Sequence, residues 1–256
     1  MSTINKIIIK KVKGYKMDEI SILKARAIYY NLFARFFVYT KDMTHYLELI
    51  NILNVLKENP LDEASKKATE SILEQLQSTS NASLLQEYDD IFNNPASKNI
   101  RLTASYYDEG VESGKKRVEM LQFLAKTKIR RNEKEFYEYE DSVGFMFTFM
   151  AQLIELIING HTEYKNTVHC IFAQILNPFI DEFAKEVYEH KEAKIFKELM
   201  VILHSFVEFE RLYLEVSKPA LKENINKEEF KDKHLSDEEK ARRARNKALK
   251  ALGPKV

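Results

Sequence analysis

Apolar residues recur at spacings of three and four along most of the chain, which is the period of an amphipathic helix. The most regular stripe lies near the end, where every third or fourth position from Ile195 to Tyr213 is apolar. Polar breaks that contain proline, asparagine or serine separate the periodic segments. The pattern predicts helices over residues 18–39, 42–57, 62–77, 83–92, 112–128, 141–158, 162–177, 178–190 and 192–216.

The predicted helix over 141–158 differs from the others because it is apolar on almost every side. Between Val143 and Ile158, only four positions are not apolar: Gly144, Thr148, Gln152 and Glu155. Neighbours must cover such a helix on all sides, so we expect it at the centre of the protein. It is shorter than the 18 or more apolar residues of a membrane span. The N-terminus also lacks the apolar region of a signal peptide, so we expect a cytoplasmic protein without a membrane span.

Composition narrows the fold class to all-α. Six glycines and five prolines in 256 residues supply too few turns for a sandwich, a barrel or a doubly wound sheet. We therefore predict a single-domain helical bundle of about nine helices over 18–217, with a basic N-terminal arm over 1–17 and a charged C-terminal extension over 218–256. The periodicity lapses over 95–110, and the charged segment 130–140 is interpreted as an exposed connection.

Charge is segregated along the chain, although the net charge is only +1. Residues 1–17 hold five lysines and no acid, and residues 218–256 hold 12 basic and 7 acidic groups. The body between them holds 23 basic and 32 acidic groups. The basic ends are either solvated extensions or nucleic-acid contacts, and the absence of interleaved aromatic residues in the tail weakens the second interpretation. The acidic body either confers solubility or suits a cationic peptide.

Candidate catalytic and metal-binding groups are sparse, so we predict no enzyme activity, no metal and no cofactor. The single cysteine, Cys170, excludes an internal disulfide and a multi-cysteine metal site. The six histidines form no pair with metal-ligand spacing on one helix face, and no glycine-rich phosphate loop is present. The acids Glu138, Glu140 and Asp141 precede the central helix. They fit an acidic helix N-terminus, a general acid or base, or a site that receives arginine or lysine.

The run Glu138-Tyr139-Glu140-Asp141-Ser142-Val143-Gly144 leads into the apolar helix. It resembles the motif that opens the long apolar helix of the TorD/DmsD family, whose members are chaperones that mature molybdenum-cofactor redox enzymes. Residues 25–33 and 177–183 also fit the family, and the shorter matches are Tyr88, Ile91, Phe92, Pro95, Ser105 and Tyr106. Two positions depart from the pattern, because Tyr139 replaces the usual proline and Ser142 replaces the usual histidine.

The resemblance implies a chaperone that binds the twin-arginine signal peptide of an apo-molybdoenzyme, such as a formate dehydrogenase or an S- or N-oxide reductase. It would assist cofactor insertion and proofread the enzyme before export. The implied peptide-binding residues are Tyr88, Phe92, Pro95, Tyr106, Glu138, Glu140, Asp141, Ser142 and Met146. The three acids would receive arginine. The apolar stretch would contact Phe92, Tyr106, Met146 and Met150, unless these four residues serve only core packing.

The resemblance leaves the oligomeric state open between a monomer and a dimer that exchanges helices through residues 130–140. The alternative function is that of an α-helical regulatory or nucleic-acid-binding protein that uses its basic termini.

Overall fold

The computed structural model describes residues 18–77, 79–96, 99–133 and 136–220. The predicted basic arm over 1–17 and most of the predicted extension over 218–256 lie outside these residues. The prediction of an all-α fold is confirmed. The α-helices of the described residues are α1 (Glu19–Phe37), α2 (Met43–Glu58), α3 (Glu63–Gln75), α4 (Ala82–Tyr88), α5 (Ala104–Glu109), α6 (Lys115–Ala125), α7 (Val143–Ile158), α8 (Lys165–Ile171), α9 (Ile180–Tyr188) and α10 (Ile195–Leu214).

Three helices begin directly after an aspartate whose side chain accepts a hydrogen bond from the backbone. Asp18, Asp42 and Asp62 each accept a hydrogen bond from a backbone N–H in the first turn of the helix that follows. Such caps satisfy donors that have no partner within the helix. These three helices therefore begin within one residue of the position that the sequence predicts.

Two of the predicted helices are interrupted by π-helical turns. Residues Asp89–Asn93 continue α4 as one such turn, and residues Phe172–Leu176 continue α8 as another. A π turn holds one more residue than an α turn and shifts the faces of the helix that follows. The first π turn contains Phe92, and it ends just before Pro95.

The interpretation of 95–110 as irregular is wrong for its second half, where Ala104–Glu109 forms α5. The reason is a contact from a distant segment. The carboxylate of Asp141 accepts a hydrogen bond from the Ser105 N–H at 2.9 Å, and the Asp141 carbonyl accepts one from the Ala104 N–H at 2.9 Å. These bonds supply the N-terminal cap that the local sequence lacks.

The apolar helix α7 lies at the centre of the bundle, as predicted. Eleven of its 16 residues are buried, and its most extensive packing is against α1. Gly144 allows the close approach, because a Cβ atom at this position would lie 2.9 Å from the carbonyl oxygen of Phe37. Among the helices that the structure describes, none is both long enough and apolar enough to cross a bilayer.

A buried ion pair joins α1 to α10, the first and last helices of the described bundle. The Arg26 guanidinium donates to both carboxylate oxygens of Glu210, at 2.5 and 2.8 Å, and the Tyr30 hydroxyl donates to the same carboxylate at 2.8 Å. All three side chains are at most 2 % exposed. The ring of Tyr213 lies 4.4 Å from the Arg26 guanidinium carbon and completes the enclosure.

Candidate functional site

The residues that precede α7 form a junction with the segment that leads into α5. We call residues 138–144 the signature segment, because they carry the family resemblance. Thr103 and Ser142 pair as an isolated antiparallel bridge, and the Val143 N–H donates to the Leu102 carbonyl at 2.8 Å. The junction therefore brings two of the sequence-predicted motifs, the signature segment and Ser105-Tyr106, into direct contact.

Asp141 is the best-buried acid of the junction, with no exposed surface. Its Oδ2 atom caps α5, whereas its Oδ1 atom is buried and has no hydrogen-bond partner among the described residues. Burial raises the pKa of this carboxyl above its usual value, and the hydrogen bonds from Ser105 only partly oppose that rise. Asp141 thus positions the neighbouring segment from inside the protein.

Glu140 is 5 % exposed and is held between two arginines. Its carboxylate lies 2.8 Å from Arg117 Nε and 3.0 Å from Arg131 Nε. Burial alone would raise the pKa of Glu140, but the hydrogen bond from Arg117 and the charges of both arginines lower it below its usual value. The Arg117 guanidinium also lies over the ring of Tyr139, with its carbon 4.3 Å from the ring centroid. The positive charge that Glu140 attracts is therefore already supplied within the chain.

Glu138 is half-buried and has a less complete set of partners. Its Oε1 atom accepts a hydrogen bond from the Tyr88 hydroxyl at 3.3 Å, and its Oε2 atom is buried without a hydrogen-bond partner among the described residues. Burial raises the pKa of Glu138, and the hydroxyls of Ser142 and Tyr88 lower it only in part. The contact between Tyr88 and Glu138 joins the upstream family motif to the signature segment.

The other sequence-predicted residues divide between the core and the surface. Ser142 and Met146 have no exposed surface, and Ser142 caps α7 by accepting a hydrogen bond from the Phe145 N–H at 3.3 Å. Phe92 is buried in an aromatic cluster with Phe37, Tyr88 and Phe196. Pro95 is exposed, and Tyr106 is half-buried. A direct role in peptide binding stays a prediction for all nine residues.

A groove lies between α1, α2 and α7, with a cavity volume of about 630 Å³. Its lining includes three side-chain amides, from Asn31, Asn51 and Gln152, and Phe136 from the segment that precedes the signature segment. Arg35, Val38 and His45 line both this groove and a small neighbouring cavity that reaches Tyr88. Burial and the nearby charge of Arg35 lower the pKa of His45 to about 4, so this side chain is neutral at physiological pH.

Comparison with known proteins identifies the family. The family model of the nitrate reductase delta subunit matches residues 58–185, which is half of the chain. This chain belongs to the nitrate reductase delta subunit family. The matched residues contain the motif around Tyr88, the Ser105-Tyr106 element, the signature segment and α7.

A solved structure from Archaeoglobus fulgidus, assigned as a redox enzyme maturation protein, is 19 % identical. The match covers 77 % of this chain and 98 % of that chain, with a TM-score of 0.46. None of the curated proteins matches the chain.

Family membership confirms the expected TorD/DmsD-type assignment: the protein is a redox enzyme maturation protein. The family is one of maturation chaperones rather than catalysts, and it implies a redox enzyme as a partner.

Sequence reasoning missed the partners of the predicted acids, Arg117 and Arg131, because ion pairs between distant segments leave no local pattern. It also missed the groove, although one signal was available. The only positions of α7 that are not apolar lie at spacings of four, four and three, and three of them, Thr148, Gln152 and Glu155, line the groove. In an otherwise apolar helix, such a stripe indicates a face that meets polar surroundings.

One cluster of potential metal ligands in the described residues lies away from the junction. Ligand atoms of Asp181, His204 and Glu208 lie within 4.8 Å of one another. Arg211 already pairs with Asp181 at 2.9 Å and with Glu208 at 2.6 Å, and Lys218 lies within 3.5 Å of both carboxylates. The two cations neutralise the carboxylates, so a metal ion would have to displace them.

Proposed function

We propose that this protein is a cytoplasmic chaperone that binds the twin-arginine signal peptide of an apo-molybdoenzyme, its apo form, or both. The client would be a molybdopterin oxidoreductase such as a formate dehydrogenase or an S- or N-oxide reductase. The chaperone would assist cofactor insertion and proofread the client before export. The family supplies the coarser part of this proposal, a maturation protein with a redox enzyme as its partner.

The main support for the proposal is that the Glu138 carboxylate has too few hydrogen-bond partners among the described residues. A buried carboxylate oxygen without a hydrogen-bond partner is costly, because it has lost its hydration and gained nothing in return. A guanidinium offers several N–H donors in a plane and a positive charge, so its approach to Glu138 would stabilise the ionised form of this carboxylate. The acidic body of the chain favours the approach of such a cation.

The buried residues among the predicted peptide-binding residues hold the segments around Glu138 in place. Asp141 caps α5, Ser142 caps α7, and Glu140 ties Arg117 and Arg131 to the signature segment. We propose that these residues position Glu138 and Tyr106, and that direct contact with the peptide falls to Glu138, Tyr106 and Pro95. Ser142, at the position of the usual histidine, serves in this scheme as a helix cap.

Calorimetric titration with a synthetic leader peptide tests the proposal. The peptide carries two adjacent arginines followed by an apolar stretch, and the matched control peptide carries two glutamines instead. We expect the arginine peptide to bind more tightly than the control, and the difference to shrink with added salt. Glu138→Gln should weaken binding about tenfold or more, because a charge-assisted hydrogen bond contributes roughly 1.5–3 kcal/mol.

Glu74→Gln is the matched control variant, because Glu74 is an exposed carboxylate on α3. Its affinity should equal that of the unmodified protein. Equal affinity for the arginine and glutamine peptides would exclude arginine recognition. Absence of binding to both peptides and to apo-molybdoenzymes would refute the proposed function.

A further inference from the structure

Several side chains that line the groove between α1, α2 and α7 can hydrogen-bond to the main chain of a bound peptide, whatever side chains that peptide carries. A carboxamide carries both a donor and an acceptor, so it can pair with a peptide N–H and a peptide C=O. Asn31, Asn51 and Gln152 place three such groups around one cavity, one on each of the three helices.

Two of these amides have no partner within the described part of the chain. Asn51 and Gln152 are exposed and form no hydrogen bond with another described residue, whereas Asn31 donates to Glu155 at 3.2 Å. The exposed amides are therefore available to a ligand.

The remaining lining adds an apolar floor and one unbalanced charge. Ala34, Val38, Ile52 and Phe136 contribute apolar surface to the cavity. Arg35 and Glu48 form an ion pair with each other, but Glu155 has no cationic partner among the residues that the structure describes. One turn beyond Asn51 on α2, Val55 is 47 % exposed and extends the apolar surface past the end of the cavity.

The length of the groove fits a short extended segment. From Thr148 to Glu155, α7 rises about 10 Å along its axis, which corresponds to about three residues of an extended chain. A helical occupant would not use the amides, because its own N–H and C=O groups are already paired along its length. An extended segment leaves these groups free for Asn51 and Gln152.

We propose that this groove binds an extended segment of the client through its main chain, with a cationic side chain of the client at Glu155. The inference rests on the proposed function, since it assigns a second contact region to the same client. Recognition of a main chain tolerates different side-chain sequences, so this part of the site would accept clients that share a conformation rather than a sequence.

A double variant and a modified peptide test the inference together. Asn51→Ala/Gln152→Ala removes both free amides, and we expect the affinity for the arginine leader peptide to fall about tenfold. In a second series, three successive peptide nitrogens are methylated, and the methylated window is moved along the peptide. We expect methylation of one window to lower the affinity of the peptide for the unmodified protein about tenfold. Methylation of the same window should change the affinity for the double variant little or not at all.

Gln122→Ala is the matched control, because Gln122 is an exposed amide on α6 and does not line the groove. Its affinity should be unchanged, and circular dichroism should show the helical content of the unmodified protein in both variants. If the unmodified protein binds no leader peptide, the proposed function fails. If it binds and the double variant binds equally well, only this inference fails.

Two further outcomes would also overturn the inference. If the double variant binds the peptide more weakly but no methylated window changes the affinity, the groove contacts the side chains of the peptide and not its main chain. A change in the oligomeric state of the peptide-free double variant, measured by sedimentation, would mean that the groove is a contact between copies of this chain.

Discussion

Three buried carboxylates each hold a segment from another part of the chain. The carboxylate of Glu87 accepts hydrogen bonds from the N–H groups of Lys194, Ile195 and Phe196, at 2.8, 3.1 and 2.8 Å, and so caps α10. Asp141 caps α5 in the same manner, and Glu210 pairs with Arg26. A helix N-terminus favours a negative charge, so the two caps stabilise helices that lack a local cap.

At the residue scale, the buried charge of Glu138 makes the stability of the protein depend on pH. Because its pKa is raised in the folded state, ionised Glu138 destabilises the fold at neutral pH, and this penalty is lost as the pH falls through the folded pKa. Glu138→Gln should therefore raise the free energy of unfolding at about pH 7 and leave it almost unchanged at about pH 4.

Urea denaturation at the two pH values checks this expectation, with Glu74→Gln as an exposed control. A gain of the same size at both pH values would mean that the effect comes from packing rather than from the charge.

At the scale of elements, the contact between α1 and α7 depends on Gly144. Gly144→Ala would place a Cβ atom 2.9 Å from the Phe37 carbonyl oxygen, so one of the helices must shift. Overpacking of this kind costs about 1–3 kcal/mol, which outweighs the better helix propensity of alanine. We expect the free energy of unfolding, measured in urea, to fall by that amount.

Gln152→Ala, on the exposed side of the same helix, is the control and should leave stability unchanged or slightly higher. Equal stabilities of Gly144→Ala and Gln152→Ala would show that α1 and α7 can separate without cost.

The period of apolar residues was sufficient to predict most helices, because that signal is local. The stripe over 192–216 corresponds to α10 at Ile195–Leu214, and the apolar segment 141–158 corresponds to α7 at Val143–Ile158. Helix α5 could not be predicted in this way, since its cap comes from a residue 36 positions away. The groove could not be predicted either, because it exists only where α1, α2 and α7 meet.

At the scale of the whole molecule, Arg26 and Glu210, which lie 184 positions apart in sequence, join α1 to α10. The sequence pattern does not indicate this pair, because a charged residue on an amphipathic helix usually lies on its exposed face. Glu210→Ala would leave a buried guanidinium without its partner, and we expect the free energy of unfolding to fall by about 3–5 kcal/mol.

The double variant Arg26→Met/Glu210→Leu should recover most of that loss, since it removes both charges together. Lys67→Ala breaks an exposed pair with Glu63, in which both side chains are more than 70 % exposed, and should cost less than about 0.5 kcal/mol. Thermal or urea unfolding of the three variants measures the difference. If the double variant is as unstable as Glu210→Ala, the loss of stability comes mainly from altered packing around Tyr30 and not from the unpaired charge.

The ion pair between α1 and α10 also constrains how the newly made chain acquires its structure on the ribosome. Arg26 is synthesised first, and its partner appears only 184 residues later. Until then, α1 cannot bury its guanidinium without a large cost. The body should therefore complete its folding late in translation, when α10 has emerged and can neutralise Arg26.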